Sequence, residues 1–281
     1  MLNSPRYLLA CVIALSLPFA QAEDMTWLVM TLPGAGTQQR AGFIYEAQRL
    51  LEENLPEFNH VHEQSTHKRL ERDLEAGRQV CSTLTLEHPG RSKFGFFAAY
   101  VPAPPMELVS RAGLLPPQTL NDGKVSLAKL ISTPLKGGIA STRGYPSELA
   151  DLIQAGIREA RIKVINTSSP GVNLIAMIAH ERLDYTIEFP AVASELTKGI
   201  APARALVSLP IVENPHLVPA GIYCPRNEWG RRMIVGISAA IQRLARSPES
   251  LLQLYSESQR GAYEHSIRAF FRSRSLASPD L

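Results

Sequence analysis

Past residue 22, short runs of β-branched and aromatic residues alternate with longer segments whose apolar positions recur at helical spacing. Met25 to Thr31 reads as a strand, halted by Pro33-Gly34-Ala35-Gly36. Phe43, Ala47, Leu50 and Leu51 then mark a helix that stops at Pro56. Val61 to Gln64 is a second strand. Thr66 is a candidate N-cap for a helix that buries Leu70 and Leu74 and ends at Gly77, and Val80 to Leu86 follows as a strand. Phe94 to Tyr100 is an aromatic strand, Val101 to Pro105 is stiff and extended, and Met106 to Arg111 is a further strand. It leads into a polar, Pro- and Gly-containing stretch up to Gly123, the expected crossing between domains.

The alternation then restarts. Ser126 is expected to cap a short helix (Leu127 to Ile131), Gly138 to Ser141 is a strand, and Tyr145 to Ala160 is a helix with Pro146 near its first turn. Lys163 to Asn166 is a strand, Ser169 and Pro170 open a helix through Ala179, and Asp184 to Glu188 is the next strand. Leu217 to Cys224 is a strand followed by a helix capped by Asn227, with Ile234, Ile237, Ile241 and Leu244 on one face. Ser247 with Pro248 starts another helix, and the last carries Ile267, Phe270 and Phe271. Strands alternating with helices predict an α/β protein with largely parallel sheets flanked by helices. The Arg268, Arg272 and Arg274 cluster reads as a solvated helix face.

Residues 1–22 have a different pattern: one cation at Arg6, an apolar run from Tyr7 to Leu17, then Pro18 and the small-x-small triplet Ala20-Gln21-Ala22. This predicts a cleavable secretory signal cut after Ala22, since the run is shorter than the roughly 20 residues a bilayer span needs. Leu8-Leu9-Ala10-Cys11 is like a lipoprotein box, but too few apolar residues precede it. An exported, soluble, periplasmic protein is the expectation.

At 281 residues, 45% hydrophobic and 20% charged, the composition excludes a disordered polymer and a polytopic membrane protein. Net charge is +3, or +2 without Arg6, which offers no electrostatic footprint for nucleic acid. Past the signal only Cys81 and Cys224 remain, either one disulfide or two buried thiols. Bridged, they would close a long loop and stabilise by on the order of 4 kcal/mol.

Several segments, in this order, resemble the type II periplasmic solute-binding fold, in its polar-amino-acid branch (extracellular solute-binding family 3). They are Trp27 with the Pro33-Gly34 loop; Glu75-Ala76-Gly77-Arg78-Gln79-Val80-Cys81; Arg91 with Phe97-Ala98-Ala99-Tyr100; Gly137 to Tyr145; Glu181-Arg182-Leu183-Asp184-Tyr185; and Gly221-Ile222-Tyr223-Cys224. The resemblance implies two lobes joined by a two-strand hinge. The first lobe would comprise residues 23–110 and 214–281, with residues 111–213 inserted as the second. It also implies a monomer that closes on a small-molecule ligand and meets a membrane permease of ABC type or a sensor partner, with no cofactor.

By the same resemblance Arg91 grips a ligand carboxylate, a task suited to the bidentate guanidinium fork. Ser141, Thr142 and Arg143, between a strand and a helix, complete an anion cradle from the second lobe. Glu188 stands where the family places an acid against a ligand ammonium, while Asp184 is expected to be structural. Trp27, Phe43 and Tyr100 are candidate wall residues, with a place in the core as the alternative. His88 and Ala98 stand where the family usually has Thr and Ser. Losing two hydroxyls leaves the ligand open: a peptide fragment, an amine, a di-acid or something else.

Two other readings compete. His60, His62 and His67 with Glu63 form a zinc-like pattern that lacks a fourth ligand. Enzyme motifs such as G-x-S-x-G and H-E-x-x-H are missing, so a non-enzyme is expected. The enzyme alternative is a periplasmic lyase or dehydratase using Glu188 and His88 as acid and base.

Overall fold

The computed structural model describes residues 22–30, 42–141, 143–167, 170–197 and 205–276. The signal expected before Ala22, the Pro33-Gly34 loop, Thr142 and Ser169 lie outside the described residues. The chain opens with β1 (Glu23–Met30), α1 (Phe43–Glu53), β2 (Phe58–Ser65), α2 (His67–Glu75), β3 (Cys81–Ser82), β4 (Thr85–Leu86), α3 (Pro89–Ser92) and β5 (Gly95–Ala103). It continues with β6 (Glu107–Arg111), a 3-10 turn (Pro117–Thr119), β7 (Leu120–Asn121), β8 (Lys124–Val125), α4 (Leu127–Ile131), β9 (Gly137–Ala140) and α5 (Ser147–Arg158). Next come β10 (Ile162–Ile165), α6 (Pro170–Ala179), β11 (Tyr185–Glu188), α7 (Pro190–Thr197) and β12 (Leu206–Pro210). The chain finishes with β13 (Val218–Pro225), α8 (Glu228–Arg246), α9 (Glu249–Leu252) and α10 (Glu257–Leu276).

Local chemistry explains the element starts. The Thr66 hydroxyl accepts from Arg69 N at 3.2 Å, the Ser126 hydroxyl from Lys129 N at 3.3 Å and Asn227 Oδ1 from Gly230 N at 2.9 Å. Each satisfies a helix N–H that has no carbonyl to meet. Leu70 and Leu74 on α2 are buried, and Gly77, with φ of +67°, turns the chain out of the helix.

The first lobe holds two three-stranded sheets, β2-β1-β3 paired in parallel and β4-β13-β5 paired antiparallel. The run Val80 to Leu86 is therefore two strands, not one, because Cys81 and Ser82 pair with β1 while Thr85 and Leu86 pair with β13. The second lobe is one sheet in the order β10-β9-β11-β6-β12. Its first three strands run parallel, and β6 is antiparallel to both its neighbours, so the sheet is mixed. The strand at Glu107–Arg111 thus belongs to the second sheet, and the chain crosses between β5 and β6, ahead of the polar stretch 112–123. That stretch instead carries the 3-10 turn and the start of the β7–β8 hairpin. The return crossing lies between β12 and β13.

Trp27, Leu51, Tyr100, Ile222, Trp229, Ile237 and Phe271 pack in the first-lobe core, whereas Leu108, Leu130, Ile139, Ile153 and Ile187 pack in the second. Phe189 packs against both. Cys81 and Cys224 form a disulfide that links β3 to β13, hence the two sheets of the first lobe and the two chain segments that build it. At Gly221, where the β13 register shifts, a Cβ would lie 2.0 Å from Ala98 O, so only glycine permits this close strand pairing.

The bridge spans 143 positions, a length for which the order of 4 kcal/mol applies. Replacing Cys81 and Cys224 together by Ala should lower the melting temperature by roughly 8–16 °C, at about 2–4 °C per kcal/mol for a chain of this size. Calorimetry of the variant, and of the native protein with and without reductant, checks this. An unchanged midpoint rules the bridge out.

Candidate functional site

Arg91 lies on the short helix α3 between β4 and β5. Its side chain is 3% exposed, with Nη1 donating to Thr85 Oγ1 at 3.2 Å and to Leu86 O at 3.4 Å, and Nε facing Glu71 Oε1 at 3.4 Å. A cation this deep needs such partners to offset its lost hydration. His88 starts the same helix, where its Nδ1 accepts from Gly90 N at 3.2 Å and its backbone N donates to Tyr223 Oη at 2.8 Å. Burial, then the Arg91 charge, push the His88 pKa down.

From the second lobe, the loop after β9 supplies Arg143. Its Nη1 donates to Glu188 Oε1 at 2.9 Å, and its guanidinium lies over the Phe189 ring, 5.9 Å from the centroid. Glu188 ends β11 and is 1% exposed, with Oε1 also accepting from Phe189 N at 2.8 Å. Burial pushes its carboxyl above the usual range, against the opposing pull of Arg143. The first turn of α6 closes over the other oxygen: at Gly171 a Cβ would stand 3.0 Å from Glu188 Oε2 and 2.9 Å from Val192 Cγ1. Tyr145 Oη accepts from Ala140 N at 3.3 Å, and burial raises its pKa to about 12.

The two lobes meet at this place. A Cβ on Gly144 would lie 3.4 Å from His88 Cδ2, and Lys68 Nζ reaches Asn166 Oδ1 at 3.0 Å. His67, the first residue of α2, feels both guanidinium charges. Burial, then Arg91, then Arg143, lower its pKa to about 4, so the ring is neutral at physiological pH. His67 Nδ1 and Arg143 Nε are buried and have no hydrogen-bond partner among the described residues.

Of the sequence candidates, Arg91, Arg143 and Glu188 flank this junction. Ser141 is exposed, its backbone N donating to Ile165 O at 3.0 Å, and helix α5 starts only at Ser147 with no side-chain cap. Thr142 lies outside the described residues. Trp27 and Tyr100 sit in the first-lobe core, not on a wall. Trp27 Nε1 donates to His60 Nδ1 at 2.9 Å, and Tyr100 Oη to Ala47 O at 3.0 Å. Phe43, half-buried, packs edge-on against Tyr255. Asp184 is structural, accepting from Arg111 Nη2 and from Lys136 N, each at 2.8 Å.

The histidine pattern disperses: His60 binds Trp27 and Leu55 O, His62 faces Glu52, and His67 turns into the junction. Among the described residues no group of three or more His, Cys, Asp or Glu is placed to hold a metal ion. Sequence reasoning missed His67 as a junction residue, and also Tyr145 and Phe189. The available signal for His67 was its position directly after the Thr66 cap, which aims it along the start of a helix.

No protein-family model matches the chain, and no curated protein matches it significantly in sequence. Solved structures do. An ancestral arginine-binding protein bound to arginine is 16% identical with a TM-score of 0.61, the match covering 87% of this chain and 98% of that one. A histidine kinase sensor domain with similarity to periplasmic binding proteins is 11% identical with a TM-score of 0.60, covering 89% and 96%. A putative L-cystine ABC transporter from Listeria monocytogenes is 14% identical with a TM-score of 0.59, covering 88% and 97%. Identities this low speak to backbone architecture. By its sheets, its crossings and these overlaps, the chain has the two-lobed α/β fold of periplasmic binding proteins, as the motif order led us to expect.

Proposed function

We propose that the protein is an exported, periplasmic solute-binding protein that captures a small, polar, carboxylate-bearing ligand between its lobes by hinge closure and presents it for uptake or sensing. One observation carries the reading. Arg91 from the first lobe and Arg143 from the second stand at the junction where Gly144 approaches His88 and Lys68 reaches Asn166, and both act on the half-buried His67 there. Two like charges converging there have a reason to do so if an anion lies between them. Residues 23–110 with 214–281 form the first lobe in this reading and residues 111–213 the second, with the exact limits adjusted to the strand crossings.

Closure follows from the same groups. A ligand that touches both lobes binds the closed form better than the open one and shifts the population toward it by that difference alone. A docking permease or sensor then distinguishes the two shapes. The structures named above are an arginine-binding protein, a putative L-cystine ABC transporter and a histidine kinase sensor domain, so the likeness supports both uptake and sensing. The arrangement favours binding over lyase chemistry, because His88 already caps a helix and Glu188 already pairs with Arg143.

Mass spectrometry of small molecules released on denaturing the purified protein is expected to find a carboxylate-bearing compound. Added back at about 100 times its dissociation constant, that compound should stabilise the protein by roughly 2.7 kcal/mol. Arg91→Gln should lose this increment. The variant's unliganded melt should also fall by a few degrees, since Arg91 ties Thr85 and Leu86. An intact increment in the variant refutes the role of Arg91.

A neutral His67 also makes stability depend on pH. Its folded pKa, about 4, lies below the ordinary value of 6.5, so the unfolded chain takes up the proton more readily. The stabilisation is full above pH 6.5 and is lost as pH falls through about 4, by on the order of 3 kcal/mol. Denaturant titrations from pH 7 to 4 should show a steeper decline for the native protein than for His67→Gln. Equal slopes would mean His67 is not responsible.

A further inference from the structure

The chemistry of the junction narrows the ligand further, on the footing of the solute-binding reading above. Glu188 is closed to a ligand cation. One oxygen accepts from Arg143 Nη1 and Phe189 N, the other faces the α6 turn at Gly171, and the side chain is 1% exposed. A second carboxylate nearby, Glu71, is 44% exposed and already beside Arg91 Nε. Among the described residues, an ammonium entering here meets two guanidinium groups, and the carboxylates beside them, Glu71 and Glu188, each already face one. An oxyanion meets the opposite situation, because Arg143 Nε and His67 Nδ1 are buried nitrogens with no partner among the described residues. Satisfying them removes the penalty of an unmade hydrogen bond in a place water does not reach. His67 also opens the helix α2, whose first N–H groups favour negative charge.

We propose that the cleft selects a small organic di-acid without an ammonium group, one carboxylate lying between Arg143 Nε and His67 Nδ1 and the other at the Arg91 guanidinium. The Arg143–Glu188 pair acts as the specificity element. By holding the acid in an internal ion pair it leaves an α-amino group unmatched, and an unmatched buried ammonium discriminates strongly against its bearer. The His67 proton must then stand on Nδ1 to donate to the bound carboxylate.

The test is calorimetric titration of the full mature chain, stripped of ligand by unfolding and refolding, with matched pairs: glutarate against glutamate and succinate against aspartate. At least one amine-free member should bind ten-fold or more tightly than its amino counterpart. Arg143→Gln should weaken di-acid binding ten-fold or more, and His67→Phe, which removes the Nδ1 donor, should weaken it as well. An amino acid binding as well as or better than its amine-free partner overturns this assignment while leaving the solute-binding reading in place. So does undiminished di-acid binding in a folded Arg143→Gln variant. If none of the four compounds binds, the di-acid assignment is overturned, and the solute-binding reading then stands or falls by the released-molecule analysis.

Discussion

The carboxylate of Glu188, taken almost completely out of water and held there by Arg143, is the interaction on which the cleft depends. Removing either partner would leave the other as an uncompensated buried charge, typically at about 3–5 kcal/mol. The pair therefore binds together the parts that contribute to it: the loop after β9, the end of β11 and the first turn of α6. Phe189 follows Glu188 in the chain, donates its N–H to the same carboxylate and packs against the cores of both lobes. The electrostatic centre of the second lobe is thus one residue from the apolar contact that joins the lobes.

The first lobe depends on a different constraint, that it is built from two distant segments. Strand β13 comes back after the second lobe to pair with both β4 and β5, and the Cys81–Cys224 bridge makes that return covalent. The hinge closure proposed above would place relative motion at the two crossings, β5 to β6 and β12 to β13. In that proposal, lobes that move as units would turn a modest difference in ligand contacts into a change of shape instead of a local adjustment.

The readable part of the fold was local. Thr66, Ser126 and Asn227 announce helix starts because their side chains accept from N–H groups a few residues along, and Leu70 with Leu74 announces a buried face because helical geometry puts them on it. Val80 to Leu86 reads as one strand since strand propensity carries no information about partners, yet its two ends pair with different strands. Strand β12, with Leu206, Val207 and Leu209 only half-buried, gives a weak pattern because it lies at a sheet edge. At the lobe junction, the presence of Arg91, Arg143 and Glu188 followed from motif order, while a ligand-binding role for them is the proposal made above. Whether Trp27 and Tyr100 faced core or cleft was not, since an aromatic near a strand end suits both.

From the sequence alone came the α/β class, most element starts and ends, the pairing options of two cysteines and the presence of arginines and an acid at strand ends, because each follows from periodicity, capping chemistry or counting. Only the tertiary structure decided which charges face one another. Glu188 is ion-paired because Arg143, 45 positions earlier in the chain, folds against it, and His67 is neutral because burial, then the charges of Arg91 and Arg143 from the two lobes, disfavour its protonated form. Burial and Coulomb energy depend on distance through space, and the order of residues along a chain does not state that distance.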